Sequence, residues 1–433
     1  MKLKPLYIII LLGFAKVQAQ GVLTLEDAVK AALENNYEIR ISRNDLSIDK
    51  TNATIGNAGM LPQLGANVVD NNSIQNTTQT RSDGTKTTLN NAKNNSLVYG
   101  VGLDWTIFDG FKMFAKHDQL KAIQKLGEAE LKLTIVTKIS DVASTYFDLV
   151  QQQQQLSALD STIVISNQRL ALAQNRYTIG KASKLEVLNA QVDLNTDTTT
   201  YLKQKELYAN TKTLLNQLLA RDAKTDFKVI DAIAVDDKLL LPELISLAEK
   251  QNPQLEAQIL NKKIAELQLK QVKADRYPVI SVNSAYNFTE TESSLGFVTQ
   301  SSAKGLNYGF TATLNLFDGF NQRRSEKVAK LQIDNANVAI EQQNQALQTT
   351  LTTSYQTYLT NLELIKLEQK NESIAKQNLD ITLEKFRIGT ITTIEFRTAQ
   401  LNYINAKVRN SNAQFQAKLS EIALKELAGN ITF

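Results

Sequence analysis

From Leu97 to Ile107, apolar and aromatic residues hold every odd position: Leu97, Tyr99, Val101, Leu103, Trp105 and Ile107. The even positions carry Val98, Gly100, Gly102, Asp104 and Thr106. The same alternation runs through 308–316, with Tyr308, Phe310, Ala312, Leu314 and Leu316 between Gly309, Thr311, Thr313 and Asn315. Leu64, Ala66 and Val68 offer one partner strand, and Ile280, Val282, Tyr286 and Phe288 another. A period of two puts each set on its own face of a sheet. The pattern predicts strands over 61–70, 96–108, 278–288 and 307–317, joined by polar loops over 70–95 and 289–307. One apolar, aromatic-rich face and one small, polar face suit two structures. One is a sheet over a soluble core; the other is a lipid-facing barrel wall round a wet lumen. About ten residues per strand is enough to cross a bilayer when tilted.

Elsewhere the period lengthens. Ile135, Ile139, Val142, Tyr146 and Leu149 follow 4-3-4-3 spacing, and so do Leu351, Tyr355, Tyr358, Leu362 and Ile365. That is the signature of a coiled-coil seam. Proline stands only at 5, 62, 242, 253 and 278, leaving 63–241 and 279–433 free of it. Long helices are predicted over 111–178 and 319–387, with return helices over 182–219 and 391–428. The first long helix has about 67 residues, or roughly 100 Å at 1.5 Å per residue. Shorter helical segments, 24–58 and 240–275, end before Pro62 and Pro278, because the residue ahead of a proline avoids helical geometry. A linker (220–239) and a tail (429–433) complete the chain.

The two halves echo each other. Arg176-Tyr177-Thr178-Ile179-Gly180 reads against Lys385-Phe386-Arg387-Ile388-Gly389, 209 residues later. Phe108-Asp109-Gly110-Phe111 reads against Phe317-Asp318-Gly319-Phe320 at the same distance. Upstream of the strands the offset is 216, as from Asn36 to Asn252. A repeat unit of half the chain implies a duplicated domain, 20–219 and 240–428, rather than a short-period solenoid. Gly180 and Gly389 suit a left-handed residue ending each long helix. Ser183 and Thr392, each three residues before Glu186 or Glu395, read as helix caps.

Met1-Lys2-Leu3-Lys4, an apolar run from Leu6 to Phe14, and Val17-Gln18-Ala19 read as an export signal over 1–19. The formal charge is +4. Removing Lys2, Lys4 and Lys16 brings the mature chain to about +1, which excludes a strong nucleic-acid footprint. There is no cysteine, and His117 is the single histidine. No phosphate loop or nucleophile motif occurs, so no catalytic residue, metal or cofactor is expected. Four strands cannot close a barrel, and an open edge is forbidden in lipid, so a membrane reading requires copies. Three copies give twelve strands, within the range of known barrels.

The signal segment, the two halves, the hairpins ending in Phe108-Asp109-Gly110 and Phe317-Asp318-Gly319, and the two Ile-Gly turns together resemble the TolC-like outer-membrane efflux family. The resemblance spans nearly the whole mature chain. It implies an α+β membrane protein in the cell outer membrane, extending into the periplasm. A homotrimer would share a 12-stranded transmembrane β-barrel, continued by a long α-helical coiled-coil barrel. It implies docking to a periplasmic adaptor (a membrane fusion protein) and an inner-membrane RND or ABC transporter. The function implied is a passive exit duct for small molecules such as drugs. A type I protein secretion channel is the alternative within the family; a soluble periplasmic coiled-coil interaction protein is the alternative outside it.

By the resemblance, 176–188 and 385–397 are the hairpin tips. Arg176, Tyr177, Gly180, Ser183, Leu185, Glu186, Phe386, Ile388, Gly389, Thr392 and Glu395 then belong to the docking surface. Glu395, with Glu186 as its counterpart, is a candidate for a ring of carboxylates at a constriction; a capping or adaptor-facing acid is the other reading. Better-known members carry a tyrosine and an arginine that lock the gate. Here Phe386 and Ile391 stand in those places, and Thr398 replaces a second acid. Tyr99, Trp105, Tyr286 and Tyr308 are candidates for an aromatic girdle at the membrane interface or for core packing.

Overall fold

The computed structural model describes residues 21–294 and 298–431. The export signal and Phe433 lie outside the described residues. In chain order β1 (Val22–Leu23), α1 (Leu25–Asn35) and α2 (Tyr37–Asn52) precede β2 (Gln63–Thr80) and β3 (Lys86–Asp109). The 67-residue helix α3 (Lys112–Thr178), α4 (Lys184–Leu218) and β4 (Lys228–Val229) follow. The second half holds α5 (Leu241–Gln251), α6 (Pro253–Ala274), β5 (Val279–Ser293), β6 (Gln300–Thr313), the 68-residue α7 (Asn321–Ile388) and α8 (Thr393–Leu427). These elements form two compact units. One takes residues up to Arg40, Leu133–Asn252 and Ala346 onward; the other takes Ile41–Lys132 and Pro253–Gln345. Among the described residues no helix is long and apolar enough to cross a membrane.

The second of these units carries an antiparallel sheet of order β2-β3-β5-β6. Register decides which residues share a face, because directly paired residues point the same way. One face stacks Val68-Tyr99-Phe288, Ala66-Val101-Tyr286-Leu306, Leu64-Leu103-Ser284-Tyr308 and Trp105-Val282-Phe310. The opposite face stacks Asn67-Gly100-Asn287-Gly305, Gly65-Gly102-Ala285-Asn307 and Gln63-Asp104-Asn283-Gly309. Gly100 has no room for a side chain, since a Cβ there would lie 2.4 Å from the Tyr286 carbonyl. The four girdle candidates do not gather at one level. Tyr99 and Tyr286 sit in the last two apolar rows, Tyr308 in the middle row, and Trp105 near the other end, its indole donating to the Met60 carbonyl at 3.0 Å.

The strands run further than hydrophobic alternation suggests. The expected loop over 70–95 is mostly strand: β2 continues to Thr80, β3 starts at Lys86, and only a tight turn joins them. The second loop, expected over 289–307, shrinks to the residues between Ser293 and Gln300. These extensions are built from Asn, Thr, Ser and Gln, polar on both faces, so no alternation marks them. Their backbone ladder and cross-strand contacts such as Thr78 to Thr88 (3.0 Å) suffice. β6 stops at Thr313 rather than 317, because its partner β5 begins at Val279, which pairs with Thr313. α2 likewise ends at Asn52, short of 58, in turns that close with Gly59 at φ 87°.

Each long helix starts at a Phe-Asp-Gly-Phe corner. Asp109 accepts from the Met113 amide at 2.9 Å, and Asp318 from the Gln322 amide at 2.6 Å. Phe111 (φ 69°) and Phe320 (φ 65°) are left-handed, a strain of about 1–2 kcal/mol for a non-glycine residue. Each packs edge-on against the phenylalanine three residues earlier, with ring centres 5.4 Å apart.

The other unit buries its core where short elements meet long helices. Val142, Tyr146 and Leu149 of the α3 seam pack with Leu23, Ala28, Ala32, Leu215, Phe227 and Ile422. The seam therefore receives α1 and the parallel β1–β4 pair as well as other helices. Tyr146 donates to the Leu23 carbonyl at 2.9 Å, and Tyr355, 209 residues on, donates to the Leu239 carbonyl at 3.2 Å. Asn36 donates to the Leu218 carbonyl and Asn252 to the Leu427 carbonyl, repeating the pairing in both halves. Tyr358 donates to the Asp236 carbonyl; burial pushes its hydroxyl up to about 12, so it stays a donor. Glu421, 1 % exposed, accepts from Lys418, Lys425 and the Asp236 amide at 2.8–3.0 Å, pinning the linker to α8. Tyr358→Phe should cost about 1 kcal/mol. Glu421→Ala strands the buried Lys418 ammonium and should cost about 3–5 kcal/mol. Chemical unfolding of detergent-purified protein, followed by helical circular dichroism, measures both; equal losses would refute a dominant role for the ionic cluster.

Candidate functional site

Both hairpin tips are built the same way. α3 ends with Gly180 at φ 74°, where the Gly180 amide donates to the Tyr177 carbonyl and the Lys181 amide to the Arg176 carbonyl at 2.7 Å. At the second tip, Gly389 (φ 80°) donates to the Phe386 carbonyl and Thr390 to the Lys385 carbonyl at 3.0 Å. A left-handed glycine with this bond pair satisfies the last carbonyls of a helix. Ser183 caps α4 by accepting from the Glu186 amide at 3.3 Å. Thr392 caps α8 in the same way, and Glu395 closes a full capping box by accepting from the Thr392 amide at 2.8 Å.

The two equivalent acids then diverge. Glu395 serves its own helix; the Thr392 backbone and hydroxyl donors hold its carboxyl below the usual carboxylate range. Glu186 reaches the other hairpin instead, accepting from the Thr393 hydroxyl at 2.7 Å, with Arg176 3.7 Å away. Tyr177, Leu185 and Ile388 are exposed at the tips. Between the tips lies a cleft of about 740 Å³, lined by Leu185, Glu186 and Val192 on one side and Ile391, Ile394 and Arg397 on the other. Phe386 must be withdrawn from the docking surface. It is buried and stacks on Phe396, ring centres 4.9 Å apart, with Ile165, Leu172, Leu383 and Ile391 around it. Phe386 and Ile391 thus belong to one apolar cluster.

A polar network missed in the sequence sits just above the tips. Arg397 of α8 grips Asp197 of α4 with two bonds of 2.7 and 2.8 Å, and its Nε lies 3.7 Å from Asp193. Arg169 of α3, 2 % exposed, pairs with Asp193. Ser166 donates to Asp197 at 2.6 Å, and Gln400 donates to Ser166 at 3.0 Å and to the Thr162 carbonyl at 3.4 Å. Two-bond arginine–carboxylate pairs combine strength with fixed geometry. A comparison of halves hides this cluster. Ser166, Arg169, Asp193, Asp197 and Arg397 have Ala375, Asn378, Asn402, Ala406 and Leu188 at the equivalent places. The available signal was spacing: 162, 166 and 169, or 193 and 197, each put polar groups on one helix face.

The comparisons with known proteins decide the family. The sequence model of the outer membrane efflux proteins matches residues 28–221 and again 244–430. This chain belongs to the outer membrane efflux protein family. Its two matches start 216 apart, at 28 and 244, and end 209 apart, at 221 and 430, the offsets seen in the sequence. The outer membrane protein TolC of Vibrio cholerae is 20 % identical over 300 residues, 67 % of each chain. Among solved structures, the outer membrane channel CmeC of Campylobacter jejuni aligns with a TM-score of 0.77 at 17 % identity, covering 94 % of this chain and 85 % of that one. The outer membrane protein VceC of Vibrio cholerae aligns at 0.76 and 15 % identity, covering 94 % and 96 %.

Arg397→Ala leaves Asp197 buried without its cation and should cost about 3–5 kcal/mol. Hydrogen exchange over 160–172 should quicken accordingly, and Arg397→Ala with Asp197→Ala should regain more than half the loss; a double variant no better than the single would refute coupling. Glu395 has a depressed pKa when folded, so its cap is present above the ordinary value of 4.5 and lost as pH falls through the folded value. Carboxyl-carbon NMR should find Glu395 titrating below 4.5, with Thr392→Ala moving it part of the way back. An unmoved midpoint would remove the hydroxyl from this account.

Proposed function

We propose that this chain is the passive outer-membrane exit duct of a tripartite efflux system. Three copies close a 12-stranded barrel, and their long helices continue as a coiled-coil tunnel through the periplasm. The duct performs no reaction and binds no cofactor; a pump in the inner membrane supplies the energy and a periplasmic adaptor holds the two together.

The observation that carries this reading is the sheet. It has one apolar face, one small and polar face, and outer strands β2 and β6 with no further partner in the sheet order. Lipid tolerates such a wall only when its edges are paired, and a second copy offers the missing strands. The apolar rows span Ile280 to Phe288. That is about 27 Å along the strand, or roughly 20 Å of height once tilted, of the order of the apolar band of outer-membrane barrels. The polar face supplies a wet lumen, and the Asn- and Thr-rich ribbon of β2 and β3 lies beyond the apolar rows as an extracellular projection.

The adaptor docks on the tips, where Leu185 and Ile394 border the cleft and Tyr177 and Ile388 are exposed nearby in the chain. Glu395 acts in the capping box; in a trimer three copies of it, or of Glu186, would face the constriction. The cargo is a small molecule such as a drug. A type I secretion duct has the same architecture, and the neighbouring genes separate the two: a proton-driven pump points to drug efflux, an ABC exporter to protein secretion.

Alkali-washed membranes should retain the protein until detergent is added, and the extract should run as a trimer. Release by salt or alkali alone would establish a soluble periplasmic coiled-coil protein instead. Gly389→Pro cannot reach φ 80° and loses the amide bond to Phe386. It should abolish export while leaving the trimer and its bilayer insertion intact. Unchanged drug susceptibility in that variant would refute the tip assignment.

A further inference from the structure

We propose that the linker edge at Asp237–Leu239 is a strand-addition site. It takes an extended segment of another protein, laid parallel to it, with an acidic residue between two apolar ones. Such a site stands whether or not the chain is a duct.

The two halves supply the comparison. At the offset of 216, Gly21, Val22 and Leu23 correspond to Asp237, Lys238 and Leu239. In the first half β4 runs parallel beside β1, with Val22 opposite Lys228 and Leu23 opposite Val229. The Lys228 amide donates to the Gly21 carbonyl at 3.4 Å, and the Ile230 amide to the Tyr146 hydroxyl at 3.3 Å. Phe227 and Val229 are buried there. In the second half the corresponding stretch is anchored in the same way, since Tyr355 donates to the Leu239 carbonyl as Tyr146 does to that of Leu23. Among the described residues, however, no strand lies beside it. Neither the Asp237 carbonyl nor the Leu239 amide has a hydrogen-bond partner there, and no amide donates to the Tyr355 hydroxyl. Tyr355 and Leu239 are half-buried where Tyr146 and Leu23 are buried. An unpaired backbone edge beside partly covered apolar groups is the ground on which a further strand is added.

The surroundings give the added strand room. A groove of about 680 Å³ adjoins the edge, bounded by Ile233, Val235 and Asp237 of the linker and by Leu359, Leu362 and Ile365 of α7. Its wall also holds Glu363 and Lys366, the counterparts of Gln154 and Ser157 at the offset of 209. In the first half Gln154 and Ser157 line a smaller cavity with Asp231, two residues past β4. The groove therefore lies where a strand continuing like β4 would run.

The side chains define the occupant. By the example of Phe227 and Val229, its flanking positions are apolar. The position between them faces Lys238, which stands where Val22 faces Lys228 and is exposed with no acid partner among the described residues. Opposite charges directly across a strand pair attract and like charges repel, so this position is acidic. A neighbouring copy is the poorer occupant. Its own matching segment, Phe227-Lys228-Val229, is held in its first half and brings a lysine to Lys238.

The probe is a synthetic peptide with the sequence of Lys224–Ile233 and the change Lys228→Glu, added to the detergent-purified full-length protein. Before addition, hydrogen exchange at the Leu239 amide should be roughly tenfold or more faster than at the Leu23 amide. The labelled peptide should bind saturably by fluorescence anisotropy and slow exchange over 237–240 while leaving 21–24 unchanged. The parent peptide, with lysine at 228, should bind about fivefold more weakly. Methylating the peptide's backbone nitrogen at position 228 removes the donor to the Asp237 carbonyl and should weaken binding about tenfold. A Leu239 amide as protected as that of Leu23 would show the edge already covered, by a neighbouring copy or within the protein, and would overturn the proposal. Absence of saturable binding, preference for the lysine peptide, or binding indifferent to the methyl group would overturn it as well.

Discussion

Hydrocarbon offers no hydrogen bonds, so a strand edge that faces it must find another strand. This chain has a four-stranded sheet with apolar rows on one face and two outer strands that its own topology leaves at the edges. Most of its organisation answers that constraint. In the proposed duct the sheet needs copies; copies impose rotational symmetry; and symmetry places the same helix faces beside each other around the ring. The polar opposite face, where Gly100 leaves no room for a side chain, would there have water to meet.

Away from the sheet the chain uses buried polar groups to fix geometry. Tyr146 and Tyr355 reach the carbonyls that precede α1 and α5, so each short helix docks in a single position. Asn36 and Asn252 clamp the matching helix ends. Above the tips, Arg397 and Asp197 do the same for α8 and α4. Such groups gain little net stability, because desolvation offsets much of their attraction; they penalise any arrangement that separates them.

Particular residues show what could be read in advance. Gly180 and Gly389, Ser183 and Thr392, and the two Phe-Asp-Gly-Phe corners each combine a local conformation with the residue it demands, and each occurs twice. The alternating rows of β3 and β6 were visible for the same reason. The polar extension of β2 from Asp70 to Thr80 was not, since its pairing rests on backbone bonds that any side chain permits. Phe386 illustrates the opposite failure. Its place in a surface motif suggested an exposed contact, and only the packing of Phe396 and α3 around it shows a core residue.

By itself the sequence determined whatever is local or repeated: helix lengths, turn glycines, caps, the apolar face of the strands and the paired halves. These depend on φ/ψ preference and periodicity, which a short window contains. The tertiary structure decided what depends on distant residues meeting. It brought Arg397 to Asp197 across 200 positions, sent Glu186 to the other hairpin while Glu395 kept to its own cap, and turned Phe386 inward. None of these follows from spacing, because which faces of four long helices meet is set by their joint packing.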